Sequence, residues 1–285
     1  MFSYRHGFHA GNHADVLKHI VLSQVIEYFN EKAAPYWYVD THAGAGVYDL
    51  MGNWANTRQE YLSGITRVMA QKNMPDVIKR YVDIIKALNT GDDLQFYPGS
   101  PWVALHLIRP TDRIKLFEML PVEADVLKRN LSQAKLHRPR QLNVSIEDGF
   151  VALKALMPPT TRRAITLIDP SYENKQDYRL VLNTIKDAVM RFPTGCFMIW
   201  YPIVQRLEAQ QLPKHLAKIC PNSWLDINLT ISKAPKDGLG LYGSGVFVLN
   251  PPWTLRADMQ QALPWLRDTL ALDETAQYRL QGQSK

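Results

Sequence analysis

The chain has 285 residues, 46% of them hydrophobic and 21% charged, which is the composition of a globular protein with one large domain or a domain with an insertion. Its net charge of +6 suits a polyanionic partner such as nucleic acid, and equally a basic enzyme without such a partner. The short apolar runs exclude a membrane span, the N-terminus lacks a secretory signal, and the two cysteines fit neither a metal site nor a disulfide framework, so we expect a cytoplasmic protein.

Short apolar runs alternate with segments of helical period, which predicts an α/β fold with a mostly parallel sheet. A first helix is predicted over 13–29, and a first strand over 36–40 leads into the glycine turn DTHAGAG (40–46). Further strands are predicted over 114–118, 142–148, 164–169 and 196–202, with helices over 122–134, 150–156, 177–191 and 204–219.

The last part of the chain is predicted to be antiparallel. Strands over 224–232 and 242–249 are joined by the loop KAPKDGLG (233–240), and so short a connection makes a hairpin. A helix over 255–270 follows. We therefore predict a Rossmann-like sheet of seven strands whose last strand is antiparallel, followed by a flexible tail over 275–285.

One spacing departs from that of a dinucleotide-binding unit, in which the acid that binds ribose follows the glycine turn by roughly 20 residues. Gly46 and Glu118 are much further apart, but Ser100 as an N-cap and Pro101 at the first helical position predict a crossover helix over 101–108. The remaining segment is then an inserted subdomain over 50–96, mainly helical over 57–71 and 75–88. The main domain would consist of 1–49 and 97–274.

Acidic residues stand at the ends of four predicted parallel strands. Because the carboxyl ends of parallel strands share one edge of a sheet, where ligands bind, we expect these carboxylates to line one pocket. Each acid alone is explained as readily by a helix N-cap or a solvated loop. With a glycine turn that lacks the third dinucleotide glycine, the set suits an adenosyl ligand such as S-adenosylmethionine at least as well as NAD. The four acids are Asp40, Glu118, Asp148 and Asp169.

The stretch IDPSY (168–172) ends one of these strands. The exocyclic amine of adenine is a poor nucleophile, because its lone pair is drawn into the ring. The Asp169 carboxylate and the carbonyl of Pro170 could accept its two N–H groups, and Tyr172 could stack on a base that has left its helix. Methyl transfer would then follow from holding the nitrogen in line with a sulfonium methyl group.

Four motifs in a fixed order carry a resemblance to a known family: SYRHGFHAGNHADVLKH (3–19), DTHAGAG (40–46), YPGSP (97–101) and DPSY (169–172). The chain resembles the ribosomal RNA large-subunit methyltransferase J family over nearly its whole length. The resemblance implies a class I methyltransferase that uses S-adenosylmethionine to methylate the N6 of an adenine in large-subunit (23S) ribosomal RNA. We expect a monomer that acts on protein-free or partly assembled RNA.

The resemblance also implies the residues of the site. Asp169 would be the catalytic acceptor and Tyr4 a substrate contact. This sequence departs from the family at Ser171, where the second proline of the motif usually stands, and after Glu118, where it lacks a histidine before the proline. The implied cofactor contacts are His19, His42, Ser100, Glu118, Asp148 and Gly149.

Histidines crowd the N-terminal motif, at positions 6, 9, 13 and 19. No cysteine and no His-Glu-x-x-His pattern accompanies them, so we expect no metal site. We place them in a folded-back segment that covers the cofactor, with His6 near the substrate. His19 and His42 could hydrogen-bond the methionine part of the cofactor.

Other N-terminal residues have two interpretations each. Lys18 and Arg5 either contact substrate phosphates or are solvated surface charges. Tyr4 and Phe8 either stack on bases or pack against the protein.

The motif NPPW (250–253) matches the general amino-methyltransferase pattern better than DPSY does. It follows a strand predicted to be antiparallel, so it should lie at the opposite edge of the sheet from the acids. We therefore interpret it as a proline turn before the last helix.

Two other functions stay open. One is a non-catalytic nucleic-acid-binding protein, for instance in the use of external DNA as a nutrient. The other is an NAD-linked oxidoreductase, against which the missing third glycine counts.

Overall fold

The computed structural model describes residues 5–91, 93–133, 141–238 and 240–283. Within these ranges the strands are β1 (Trp37–Asp40), β2 (Val47–Asp49), β3 (Phe96–Pro98), β4 (Arg113–Phe117), β5 (Leu142–Ser145), β6 (Ala164–Ile168), β7 (Cys196–Ile203), β8 (Trp224–Thr230), β9 (Gly243–Leu249) and β10 (Gln277–Gln283). The α-helices are α1 (His13–Asn30), α2 (Asn53–Arg58), α3 (Glu60–Ser63), α4 (Ile65–Met69), α5 (Asp76–Leu88), α6 (Ser100–Leu107), α7 (Pro121–Gln133), α8 (Gly149–Leu156), α9 (Lys175–Arg191), α10 (Leu207–Ile219) and α11 (Leu255–Leu270).

The central sheet has the strand order β10-β8-β9-β7-β6-β1-β4-β5. The strands from β7 to β5 in this order run parallel to one another. β9 is antiparallel to both of its neighbours, β7 and β8, which confirms the predicted hairpin. The mostly parallel sheet with an antiparallel strand near the end of the chain is thus confirmed, but it has eight strands instead of seven.

The eighth strand lies where a flexible tail was predicted. Gln277–Gln283 pairs antiparallel with β8 along its whole length, so the prediction for this segment was wrong. Its sequence, QYRLQGQ, is mostly polar. This composition suits the edge of a sheet, where polar side chains discourage pairing with other protein chains. A polar edge strand and a disordered tail have similar compositions.

The insertion after β1 begins and ends in β2 and β3, which pair with each other. The single helix predicted over 57–71 is instead three short helices, α2 to α4. The first break is at Gln59, which has a left-handed backbone (φ 52°). The second is at Gly64, where a Cβ would lie 2.1 Å from the carbonyl oxygen of Gly11. The insertion shares its hydrophobic core with α1, and its division from the main domain as a subdomain stays a prediction.

Helices cover both faces of the sheet. One cluster of buried side chains packs it against α1, α6 and α11, and a second packs it against α8, α9 and α10. α1 is buried along most of its length because it lies between the sheet and the insertion. Its N-cap, Asn12, accepts hydrogen bonds from the backbone N–H groups of Ala14 and Asp15. The capped end of α1 therefore carries polar residues into the interior, next to the carboxyl ends of the strands.

The turn after β9 lies at the other edge of the sheet. Because β9 is antiparallel to β7, its last residue is followed by Asn250 near the start of β7. The amide of Asn250 donates 2.8 Å hydrogen bonds to the carbonyls of Pro193 and Gly195, which precede β7. NPPW is thus a structural turn, as predicted. Among the described residues, none of the helices is both long and apolar enough to cross a membrane.

Candidate active site

A cavity of about 520 Å³ opens at the carboxyl edge of the parallel strands. Three of the four predicted acids, Glu118, Asp148 and Asp169, line it together. The volume is typical of a small-molecule site. Tyr4 lies outside the described residues. The other predicted site residues that line the cavity are His6, Lys18, His19, His42, Ser100, Gly149 and Pro170.

Asp40, the fourth acid, supports the cavity from behind. It is fully buried and accepts hydrogen bonds from the Tyr38 hydroxyl (2.8 Å), the Ser100 hydroxyl (2.7 Å) and the backbone N–H of His42 (3.2 Å). Burial raises the pKa of Asp40 to about 6, although these hydrogen bonds oppose the rise. The expectation that Asp40 lines the pocket was wrong. Ser100 was also predicted as an N-cap, but that position belongs to Gly99.

Glu118 is held by the backbone at both carboxylate oxygens. Its Oε2 accepts from the N–H of Gly44 and its Oε1 from the N–H of Leu120, both at 2.9 Å. Burial raises the pKa of Glu118, and the two backbone hydrogen bonds oppose that rise. Gly44 has a left-handed backbone (φ 58°), and a Cβ there would lie 2.5 Å from the Tyr48 hydroxyl. The glycine turn therefore orients the carboxylate, whose remaining lone pairs can accept from ligand hydroxyls.

Asp148 and Gly149 begin α8. The Asp148 carboxylate caps the helix by accepting from the N–H of Phe150 at 2.8 Å, so the N-cap interpretation holds together with its place in the cavity lining. A Cβ on Gly149 would lie 2.0 Å from the carbonyl oxygen of Thr41. Glycine is thus required for α8 to approach the loop after β1, and its contact with the cofactor stays a prediction.

Two histidines in the cavity are neutral. The Nδ1 of His19 is 2.9 Å from the Tyr97 hydroxyl, while its Nε2 has no hydrogen-bond partner in the part of the chain that the structure describes. His42 Nδ1 is 2.8 Å from the Thr41 hydroxyl. Burial lowers the pKa of His19 to about 3 and that of His42 to about 4. A fully buried nitrogen without a partner in a cavity wall indicates a contact that a ligand would complete.

A chain of four ionisable side chains connects Asp169 to the N-terminal segment. Lys18 Nζ lies 2.6 Å from Asp169 Oδ2 and 2.9 Å from Asp15 Oδ1, and Asp15 Oδ2 lies 2.8 Å from His6 Nε2. Burial alone would lower the pKa of Lys18, but the two carboxylates raise it above its ordinary value. Burial would likewise raise the pKa of Asp15, yet His6 and Lys18 hold it well below its ordinary value. The ion pairs thus outweigh burial.

The sequence analysis interpreted Lys18 either as a phosphate contact or as a solvated surface charge. Its position fits neither interpretation. Lys18 is 4% exposed, and its Nζ lies 2.6 Å from the Asp169 carboxylate. Asp15 was missed by the sequence analysis. One signal in the sequence could have identified it: Asp15 and Lys18 carry opposite charges three residues apart on a mostly apolar helix. Such a helix has little solvated surface, so its charged side chains are expected to pair with each other.

Tyr172 is not part of the cavity lining. Its backbone is left-handed (φ 53°), its ring is 3% exposed and packs 4.6 Å from the Tyr178 ring, and its hydroxyl donates to the carbonyl of Trp200 at 2.7 Å. The ring therefore lies in the core, where it cannot stack on a base. The prediction that Tyr172 belongs to the site was wrong. Arg206 donates to the Tyr172 carbonyl and fixes this loop.

The N-terminal segment folds back over the cavity, as expected. Arg5 and His6 line the cavity, and the guanidinium of Arg5 lies 4.0 Å from the centre of the Trp54 ring. Phe8 also contacts Trp54, so packing is the interpretation that fits it. His9 pairs with Glu60 of the insertion at 3.0 Å.

The buried histidines predict a dependence of stability on pH. His13, His19 and His42 stay neutral in the folded chain because burial lowers their pKa values to about 4, 3 and 4. In the unfolded chain they take up protons below pH ~6.5. The free energy of unfolding should therefore fall as the pH falls from ~6.5 to ~4. Carboxyl groups whose pKa values are raised by burial, such as Asp40 and Glu118, bind their protons more tightly in the folded chain and offset part of this fall.

Urea denaturation across this pH range measures the effect. Replacing His13, which lies outside the cavity, with leucine should reduce the slope by one proton, or about 1.4 kcal/mol per pH unit. An equal slope in both proteins would contradict the assignment of a neutral His13.

Comparison with known proteins identifies the family. The model of the family described as ribosomal RNA large subunit methyltransferase D, RlmJ, matches residues 33–282. Two relatives are named ribosomal RNA large subunit methyltransferase J. The one from Haemophilus influenzae is 42% identical over 282 residues, which cover 99% of this chain and 98% of the relative. The one from Escherichia coli K12 is 41% identical over 270 residues, which cover 95% of this chain and 94% of the relative.

A solved structure has the same fold. The crystal structure of protein LPL1258 from Legionella pneumophila superimposes with a TM-score of 0.88 at 34% identity, covering 97% of this chain and 99% of that one. The chain belongs to the ribosomal RNA large subunit methyltransferase J family, which the sequence motifs had indicated.

Proposed function

We propose that the chain transfers a methyl group from S-adenosylmethionine to the N6 amine of an adenine in 23S ribosomal RNA. The observation that carries this proposal is a single cavity that joins the backbone-held carboxylate of Glu118 to the Lys18–Asp169 ion pair. Family membership supports the reaction and the class of RNA. A monomer that acts in the cytoplasm on protein-free or partly assembled RNA remains part of the proposal.

The residues present fit the cofactor. Glu118 would accept from the ribose hydroxyls and Asp148 would lie beside the adenine edge. The neutral rings of His19 and His42 would face the methionine part, where the unpartnered Nε2 of His19 needs a contact. S-adenosylmethionine supplies the activated methyl group when bound.

Asp169 would act on the substrate amine. Lys18 occupies Oδ2, and Oδ1 accepts no hydrogen bond within the described residues, so it can accept from an adenine N–H. The carbonyl of Pro170 would accept the second N–H. Methylation would form a bond from the amine nitrogen to the methyl carbon and break the sulfur–methyl bond of the donor, which leaves as S-adenosylhomocysteine. The amine would carry positive charge until it releases one proton to solvent. A fixed carboxylate at that position stabilises the developing charge.

The cation beside Asp169 is permanent at neutral pH. Burial would lower the pKa of Lys18, but Asp15 and Asp169 raise it above its ordinary value, so the amine stays protonated. An ionised carboxylate only accepts hydrogen bonds, which is the role that the amine requires.

Labelled methyl transfer tests the proposal. Unmodified 23S ribosomal RNA, transcribed in vitro, is incubated with labelled S-adenosylmethionine and the protein, and is then digested to nucleosides. We expect the label in N6-methyladenosine. Label in another nucleoside would contradict the choice of the adenine amine.

Calorimetry with S-adenosylmethionine separates the alternatives. We expect the methyl donor to bind and NAD not to compete with it. Nucleic-acid affinity without any binding of the donor would favour the non-catalytic alternative.

A further inference from the structure

A second cavity, of about 510 Å³, lies at the ends of β7 and β8. Both strands are antiparallel to β9 and therefore run in the same direction, so their carboxyl ends lie at the edge of the sheet that holds the active site. β10 begins at this edge, where Gln277 is paired with Thr230 at the end of β8. The two cavities thus share one edge of the molecule.

The linings of the two cavities differ in their charged side chains. Among described residues, the second cavity has no acidic side chain in its lining and has two cations, Lys214 and Arg279. The active-site cavity contains both cations and acids, and its buried cation, Lys18, is paired with two carboxylates. A polyanion that presents a base to the active site would be repelled by the acids there. Its phosphates need a cationic contact elsewhere along the same edge. The acidic residues of the active-site lining are Glu118, Glu123, Asp148, Asp169, Glu173 and Asp177.

Arg279 is fixed in place by a buried network. Its Nη2 donates to Asp226 Oδ2 (3.1 Å) and to Asn228 Oδ1 (3.2 Å). Asp226 is 3% exposed, and its other oxygen accepts from the Tyr201 hydroxyl at 2.6 Å. The Arg279 side chain is 51% exposed. A buried carboxylate thus orients an accessible guanidinium, which lowers the entropy cost of binding an anion.

Lys214 and Tyr242 complete the lining. Lys214 is exposed on α10, and Tyr242, half-buried, follows the β8–β9 loop. A guanidinium and an ammonium group beside an aromatic ring match the phosphate and the base of a nucleotide. The cavity volume is within the range of small-ligand sites.

Arg206 connects this cavity to the active site. It is the residue before α10, and its guanidinium contacts the carbonyls of Tyr172 and Glu173 in the loop that follows Asp169. Val204, two residues earlier, lines the second cavity. A nucleic-acid strand that leaves the active site along this loop would therefore reach Lys214 and its neighbours.

We propose that the cavity bounded by Lys214, Tyr242 and Arg279 binds a nucleotide of the RNA that flanks the target adenine. The phosphate lies between the two cations and the base lies against the Tyr242 ring. The proposal rests on the proposed function, since it takes RNA as the substrate.

The test compares Lys214→Glu and Tyr242→Ala with Lys218→Glu. Lys218 is exposed one turn further along α10 and lies outside the cavity lining, so it is a matched control. The probe is an unmodified fragment of 23S ribosomal RNA. We expect Lys214→Glu to raise the Kd and the KM for RNA roughly three- to tenfold and to reduce the salt dependence of log Kd by about one. Tyr242→Ala should raise the Kd without changing the salt slope.

The affinity for S-adenosylmethionine and the kcat at saturating RNA should stay unchanged in both variants. Equal RNA Kd values in Lys214→Glu, Tyr242→Ala and Lys218→Glu would overturn the nucleotide site and leave the proposed reaction standing. Because RNA binding is measured apart from transfer, an RNA Kd that depends on Lys214 in a protein that transfers no methyl group would support the site and refute the reaction.

Discussion

Replacing Asp169 with alanine should lower the kcat for methyl transfer by about 10²- to 10³-fold, the usual cost of removing one fixed group that stabilises charge in a transition state. In the proposed reaction this carboxylate, held at the end of β6 by Lys18 at 2.6 Å, accepts the N–H of the adenine amine. Without it, the amine loses both the acceptor for its N–H and the negative charge opposite the nitrogen. Steady-state transfer of labelled methyl to unmodified 23S ribosomal RNA measures the loss.

Asp169→Asn is the matched control. The amide keeps an oxygen that can accept the adenine N–H but lacks the charge, so its kcat should lie between those of the wild-type protein and Asp169→Ala. The Kd for the methyl donor should change little in either variant, because Glu118 and His19 would provide those contacts. Equal rates in the wild-type protein and Asp169→Ala would refute the role of Asp169.

Replacing Lys18 with methionine should lower the free energy of unfolding by about 3–5 kcal/mol, the usual cost of breaking a buried ion pair on one side. Lys18 is 4% exposed and is the shared cation of Asp15 and Asp169. Methionine fills a similar volume, so the loss would arise from two carboxylates left without their counter-charge. Urea denaturation at neutral pH measures it.

A double variant separates charge from packing. In Lys18→Met/Asp15→Asn the buried charge at position 15 is also removed, so part of the lost stability should return. Lys86→Met, at an exposed position on α5, should change stability by less than about 0.5 kcal/mol. If Lys18→Met cost no more than Lys86→Met, the buried ion pairs would contribute nothing to stability.

The site was predictable where it depends on strand direction. Glu118 and Asp169 follow apolar strands, and parallel strands bring such residues to one edge whatever their distance in sequence. The same rule placed Asn250 at the opposite edge, because a short loop makes the strand before it antiparallel. These conclusions need only the pattern and the direction of each strand.

Other features depend on contacts that the pattern does not encode. Tyr172 has a left-handed backbone, and its ring enters the core. No local sequence signal predicts this backbone conformation. β10 is polar and gains its stability from pairing with β8, which lies far away in sequence. Arg279 and Lys214 come together only through this pairing. Side-chain direction and long-range pairing thus limited the prediction.

A crystal structure of the protein with S-adenosylhomocysteine would test the central claim most directly. The proposed arrangement predicts the ribose hydroxyls on Glu118, the adenine beside Asp148 and the amino-acid part near His19 Nε2, with the sulfur directed towards Asp169. A ligand bound away from Glu118, or with its sulfur directed away from Asp169, would contradict it.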